Sequence, residues 1–230
     1  MAQISTGVGC IDKAIGGGIN PQTITLIYGE PETGKSTIAM QAAVYCALQG
    51  QKILYADCDN SFSTQRLAQL SGDRFDDIAE QIILVNPQDF KEQTALIDHI
   101  EDYTTGVGLI VIDTFTSLYS AKTAEFSRAY GTNRELNRQL ALLAQTVKTK
   151  KIPLIMTSQV RSVIGNDAIS DVRPVATRVL QFWAENILFL KPTQFPQTIK
   201  VTIEKTFGSF HSNICYVQIG GNGIKDTQLH

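Results

Sequence analysis

The chain has 230 residues, of which 43% are hydrophobic and 18% charged, and its formal net charge is −2. That length and apolar content support a packed core and exclude a disordered chain, and near-neutrality confines any attraction to nucleic acid to a local patch. Cys10, Cys46, Cys58 and Cys215 form no CxxC and no zinc-finger spacing, so reduced thiols in a cytoplasmic protein are expected, with no signal peptide and no membrane-length apolar run.

Thr23–Tyr28 (TITLIY) is a short run rich in β-branched residues and predicts a strand, followed by glycines and a helix over Lys35–Leu48. KILYAD (Lys52–Asp57) predicts a second strand and Ile82–Asn86 a third. An amphipathic segment follows, with Leu96, Ile100 and Tyr103 at helical spacing. Leu109–Asp113 (LIVID) is a fourth strand. The next helix is expected to begin near Thr132, because Thr132 and Glu135 have capping-box spacing and Leu136, Leu140, Leu143 and Val147 form one stripe. PLIMTSQ (Pro153–Gln159) predicts a fifth strand. Unalternating apolar strands separated by helices predict a parallel sheet covered on both faces. The last third differs: NILFLK, TIKVTIEK and NICYVQI are strands with turn signals between them, at Pro192–Pro196 and Phe207–Ser212. They predict an antiparallel extension, and the whole of 1–230 is read as one domain. Arg161–Thr177 (RSVIGNDAISDVRPVAT) is polar and aperiodic, and reads as a long loop.

Gly29–Ser36, GEPETGKS, matches GxxxxGK[ST] between a predicted strand and a predicted helix. Its glycines let the backbone curl so that N–H groups face phosphates at the positive end of the following helix. The expected nucleotide-binding set is Gly29, Glu30, Pro31, Glu32, Thr33, Gly34, Lys35, Ser36 and Thr37. Lys35 would reach the β- and γ-phosphates, and the Ser36 hydroxyl would bind Mg²⁺. Asp113 ends a buried strand, where α/β sheets bind ligands. It reads either as the acid that holds Mg²⁺ or as a cap on the turn beginning TFTS. Gln159 ends the next strand and reads either as an amide for the γ-phosphate or attacking water, or as a satisfied strand-end amide. Asp57 and Asp59, one residue apart in YADCDNSF, read as turn-capping acids or as part of the same site.

Together these segments resemble the ATPase core of RecA-type recombinases, closest to the archaeal RadB paralogues. The resemblance runs from STGVGCIDKAIGGGI (Ser5–Ile19) through GEPETGKS, YADCDNSFSTQRL, NPQDFKEQ, LIVIDTFTSLY, RELNRQLALLAQ and MTSQV into the β-rich tail. The phosphate loop is common to many ATPases, whereas this ordered set is far more specific. It implies an α/β fold with a RecA-like P-loop core, a mostly parallel central sheet flanked by helices, and an antiparallel C-terminal β extension. It also implies that no separate N-terminal DNA-binding domain is present.

The resemblance assigns further roles. Asp59 falls on the glutamate that orients or deprotonates the attacking water, with a side chain one methylene shorter, and Asn60 stands where glycine is usual. Asp57 is then expected to serve the strand end. Arg66 matches the arginine that stacks on adenine; its periodicity alone reads as an exposed helix charge. The polar loop after Gln159 matches a DNA-binding loop, which puts Arg161, Arg173 and Arg178 against DNA, with Lys205 and His211 at the tail hairpin as further contacts. Asp167 and Asp171 lower that loop's net charge.

The implied function is an ATP- and Mg²⁺-binding, DNA-binding recombinase paralogue in DNA repair and homologous recombination, with weak DNA-dependent ATPase activity. The expected partners are DNA, single-stranded in the first place, and a main recombinase or other repair protein, with no membrane. Two other classes remain open: a non-catalytic ATP-gated module that regulates a recombinase, and a signalling-type ATPase of the same superfamily that never touches DNA.

Overall fold

The structure, a computed structural model, describes residues 2–125, 129–163, 171–174 and 176–227. The chain enters through α1 (Gly9–Ala14) and a glycine turn in which Gly16, Gly17 and Gly18 all take positive φ. Then come β1 (Ile24–Gly29), α2 (Lys35–Leu48), β2 (Lys52–Asp57), α3 (Thr64–Ser71), α4 (Phe75–Ala79), β3 (Ile82–Val85), α5 (Phe90–Asp98) and β4 (Val107–Asp113). They are followed by α6 (Ser117–Glu125), α7 (Ala129–Lys150), β5 (Leu154–Val163), β6 (Asp171–Pro174), α8 (Thr177–Trp183), β7 (Asn186–Pro192), β8 (Thr198–Thr206), β9 (Ser209–Gly220) and β10 (Gly223–Asp226).

The strands lie in the order β10-β9-β8-β7-β1-β5-β4-β2-β3, and β6 pairs with β5. From β7 to β3 every neighbour is parallel; β7, β8, β9 and β10 pair antiparallel in turn. The predicted parallel core and antiparallel tail are therefore present in one continuous sheet. The side-chain period of two divides the core. Ile53, Tyr55, Leu109, Val111 and Ile155 face α1 and α2, while Leu54, Ala56, Ile110, Ile112, Leu154 and Met156 face α5, α7 and α8. The predicted stripe of Leu136, Leu140, Leu143 and Val147 is fully buried on the second face.

Four expectations need correction. The helix expected at Thr132 starts at Ala129. A capping box sets a boundary only where the upstream N–H groups have no helical partner, and here the helix runs through Thr132. The segment through Leu96, Ile100 and Tyr103 is not one helix: α5 stops at Asp98, and Ile100–Tyr103 winds as a 3₁₀ turn that still buries Ile100. Part of the long polar loop is a ladder, with Arg161 opposite Arg173 and Val163 opposite Asp171 in the β5–β6 register. The thiols are not all reduced: Cys10 in α1 and Cys215 in β9 form a disulfide across 205 residues of sequence. Cysteine spacing carries no information on a pair joined by the packing of an N-terminal helix on a C-terminal strand.

Candidate functional site

The loop between β1 and α2 has the shape its composition predicts. Gly34 is the α2 N-cap with φ 89°, a left-handed conformation that favours glycine. A Cβ on Gly29 would lie 2.2 Å from the Leu190 carbonyl oxygen, so glycine is required where β7 passes β1. The Glu30 carbonyl gathers the loop, accepting from Thr33 Oγ1 at 2.8 Å and from Lys35 Nζ at 2.6 Å. Lys35 is buried; burial pushes its ammonium pKa down, while the nearby charges of Asp113, Asp59 and Glu30 oppose that shift. Glu32, Gly34, Lys35, Ser36, Thr37 and Ile219 line a cavity of about 210 Å³ at the N-terminus of α2. A second cavity of about 390 Å³ also touches Ile219 and is walled by Gln197, Gln218 and the β9–β10 turn. The pair suits an elongated ligand with an anionic end at the loop.

Sheet register carries the acids to this loop. β2 and β4 pair so that Asp57 stands beside Asp113. Asp113 is buried and accepts from Ser36 Oγ at 3.1 Å, from Tyr55 OH at 2.8 Å and from Thr157 Oγ1. Burial raises its carboxyl pKa and Asp59 adds to the rise, while the three hydroxyl donors act in the opposite sense. Asp113 is followed by a cis peptide to Thr114. Asp59 accepts from Thr114 Oγ1 at 3.0 Å, and its Oδ1 is buried with no hydrogen-bond partner. Asp57 has a different task. Its two oxygens accept from the backbone N–H groups of Ser61 and Phe62, both at 3.0 Å, and so cap the turn after β2. Asn60 takes φ 58° within that turn, where asparagine is tolerated.

Other expected residues fall in several places. Gln159 pairs in register with Gly29, beside the loop, and its side chain is exposed. Arg66 reaches across to the β9–β10 turn, donating to Gly220 O at 3.2 Å and Gly221 O at 2.8 Å, two residues that line the second cavity. Arg178 is exposed in the first turn of α8. The side chains of Arg161, Arg173 and His211 lie outside the described residues. Lys205 is a correction. Its side chain is buried and donates to Gln181 O at 2.9 Å and Ala184 O at 2.5 Å, satisfying the C-terminal carbonyls of α8. It faces inward, so it is no DNA contact. No local sequence signal assigns a role to the side chains of Tyr55, Thr114 or Thr157. The strand period places Tyr55 on the face of Asp57, but only the register shows that its hydroxyl meets Asp113.

A phosphate loop at the switch between β1 and α2, an acid ending the neighbouring strand, and a mostly parallel sheet with an antiparallel tail define a RecA-like P-loop α/β protein. The chain belongs to the Rad51 family, whose model matches residues 1–227. It is 32% identical over 190 residues to the DNA repair and recombination protein RadB of Methanothermobacter thermautotrophicus, covering 81% of this chain and 80% of that protein. The corresponding protein of Thermococcus onnurineus is 31% identical over 228 residues, 97% of each chain. A crystal structure of the RadB recombinase superposes with a TM-score of 0.83 at 30% identity, covering 98% of this chain and 100% of that one. Among the described residues no helix is long and apolar enough to cross a membrane.

Proposed function

We propose that this chain is an ATP-binding repair and recombination protein whose hydrolysis is slow and whose nucleotide state governs contact with DNA or with a recombinase partner in the cytoplasm, the chain working as one unit. The observation that carries this reading is the convergence of Lys35, Ser36, Asp59 and Asp113, from three sequence segments, on the N-terminus of α2. Lys35 and the loop N–H groups would bind phosphate oxygens, and Ser36 with Asp113 would hold Mg²⁺. Bound there, Mg²⁺ neutralises phosphate charge. The hard oxygen donors at Ser36 and Asp113 suit that ion. Arg66 would flank the adenine and Gln159 would meet the γ-phosphate end.

DNA contact is assigned to Arg161, Arg173 and Arg178, with His211 at the tail hairpin as a further contact. The backbone register of β5 and β6, which pairs Arg161 with Arg173, keeps these two sequence positions together, and arginine is suited to phosphate. Family membership supports DNA as the partner as well.

The test is steady-state ATPase with and without single-stranded DNA, together with a salt titration of DNA binding in ADP and ATP. Stimulation by DNA is the expected result. Tight ATP binding without turnover would favour the ATP-gated module, a reading that the short, already engaged Asp59 side chain also supports. Turnover indifferent to DNA, with no DNA binding at low salt, would overturn the DNA assignment.

A further inference from the structure

We propose that Tyr55 is a positioning residue for the metal half of the site: its phenol pins one oxygen of Asp113, so that only the other oxygen serves Ser36 and the ion. The proposal rests on the nucleotide–Mg²⁺ reading above and deepens it.

The alternation of β2, β4 and β5 sets Tyr55, Asp113 and Thr157 on the face that covers α2. The two oxygens of Asp113 are then treated differently. Oδ1 accepts from Ser36 and Thr157, whereas Oδ2 accepts from the Tyr55 hydroxyl at 2.8 Å. A carboxylate turns about a broad, roughly two-fold torsion, so a lone Asp at a strand end would interchange its oxygens. Tyr55 prevents this. Its ring is fully buried and packs edge-on to Phe62 at 5.0 Å, so the hydroxyl cannot follow a rotating acid. Of the three donors, only Ser36 belongs to the phosphate loop. The Ser36 hydroxyl can offer a lone pair to a cation while its hydrogen stays on Asp113 Oδ1. Tyr55 and Thr157, which lie outside the loop, hold the acid in the orientation that this arrangement needs. Partners of this kind, one bond removed from the ion, set metal affinity more than fold.

Tyr55→Phe keeps the ring and its packing and deletes only the hydroxyl. The experiment titrates Mg²⁺ into protein with a fluorescent ADP derivative, and repeats the ADP titration in EDTA. The Mg²⁺ midpoint should rise on the order of tenfold in Tyr55→Phe, with metal-free ADP affinity unchanged. Thr157→Val should shift the midpoint the same way, and Thr157→Ser, which restores a hydroxyl, should not. A Tyr55→Phe midpoint that superimposes on wild type overturns the proposal while the nucleotide reading stands. Wild-type ADP binding that ignores Mg²⁺ overturns it along with the metal assignment. A wild type that binds no ADP at all overturns the underlying reading.

Discussion

Thr114 donates its hydroxyl to Asp59 Oδ2 at 3.0 Å, and Oδ1 of that carboxylate is buried without a partner. The tie fixes the acid beside the segment that follows Asp113. Under the proposed nucleotide reading, that oxygen is the one that would meet a water near the phosphates. Leaving a buried acceptor unpaired costs ~1–3 kcal/mol, a strain that ligand or solvent relieves.

Asp59 is therefore the residue on which turnover should depend. Asp59→Glu lengthens the side chain by one methylene and should raise kcat, since a displacement of about 1 Å in a reacting group can cost on the order of 10²-fold. Asp59→Ala should lower kcat by roughly 10²-fold while ATP affinity stays nearly unchanged. Steady-state ATPase with a parallel binding titration checks both. An Asp59→Ala protein that turns over at the wild-type rate would remove Asp59 as the base.

Arg178 lies exposed in the first turn of α8, which follows β6 in the chain. Arg178→Ala should weaken single-stranded DNA binding uniformly across sequences. It should also reduce the slope of log K against log salt by about 0.7, the release of one counterion from a single strand. An unchanged slope would place DNA elsewhere.

Lys205 gives the opposite outcome. Its ammonium is desolvated, which lowers its pKa, and it holds two carbonyls at the end of α8. Lys205→Met should destabilise the fold by ~1–3 kcal/mol through the unpaired acceptors. For a chain of this size each kcal/mol lowers Tm by roughly 2–4 °C. The salt slope of DNA binding should not move. A lost slope with an unchanged Tm would restore Lys205 as a phosphate contact.

The disulfide predicts a redox-dependent stability. Breaking Cys10–Cys215 should cost ~2–4 kcal/mol, because the link restricts a long loop in the unfolded chain. Thermal unfolding with and without reductant measures this, and Cys215→Ser should have the lower Tm in both conditions. Cys46 and Cys58 should not interfere. Burial raises the Cys46 thiol to about 12 and the Cys58 thiol well up, so neither supplies thiolate.

The phosphate loop, the α2 helix over Lys35–Leu48 and the strands ending in Asp57 and Asp113 were legible because each is written in contiguous residues. A glycine pattern, an apolar run and a helical stripe are local signals, and local backbone energetics decide them. The division of labour between Asp57 and Asp59 came from resemblance, and the structure gave Asp57 its turn-capping bonds. Other features were beyond local pattern. Tyr55 and Thr157 meet Asp113 across 58 and 44 residues because β2, β4 and β5 pair in one register. Lys205 turns inward because the α8 carbonyls end beneath it, and Cys10 finds Cys215 because α1 packs on β9. Sequence by itself determined the main strands and helices of the core and marked the phosphate-loop motif. Only the tertiary structure decided which side chains share a hydrogen bond, because that depends on strand order and register, which no window of neighbouring residues contains.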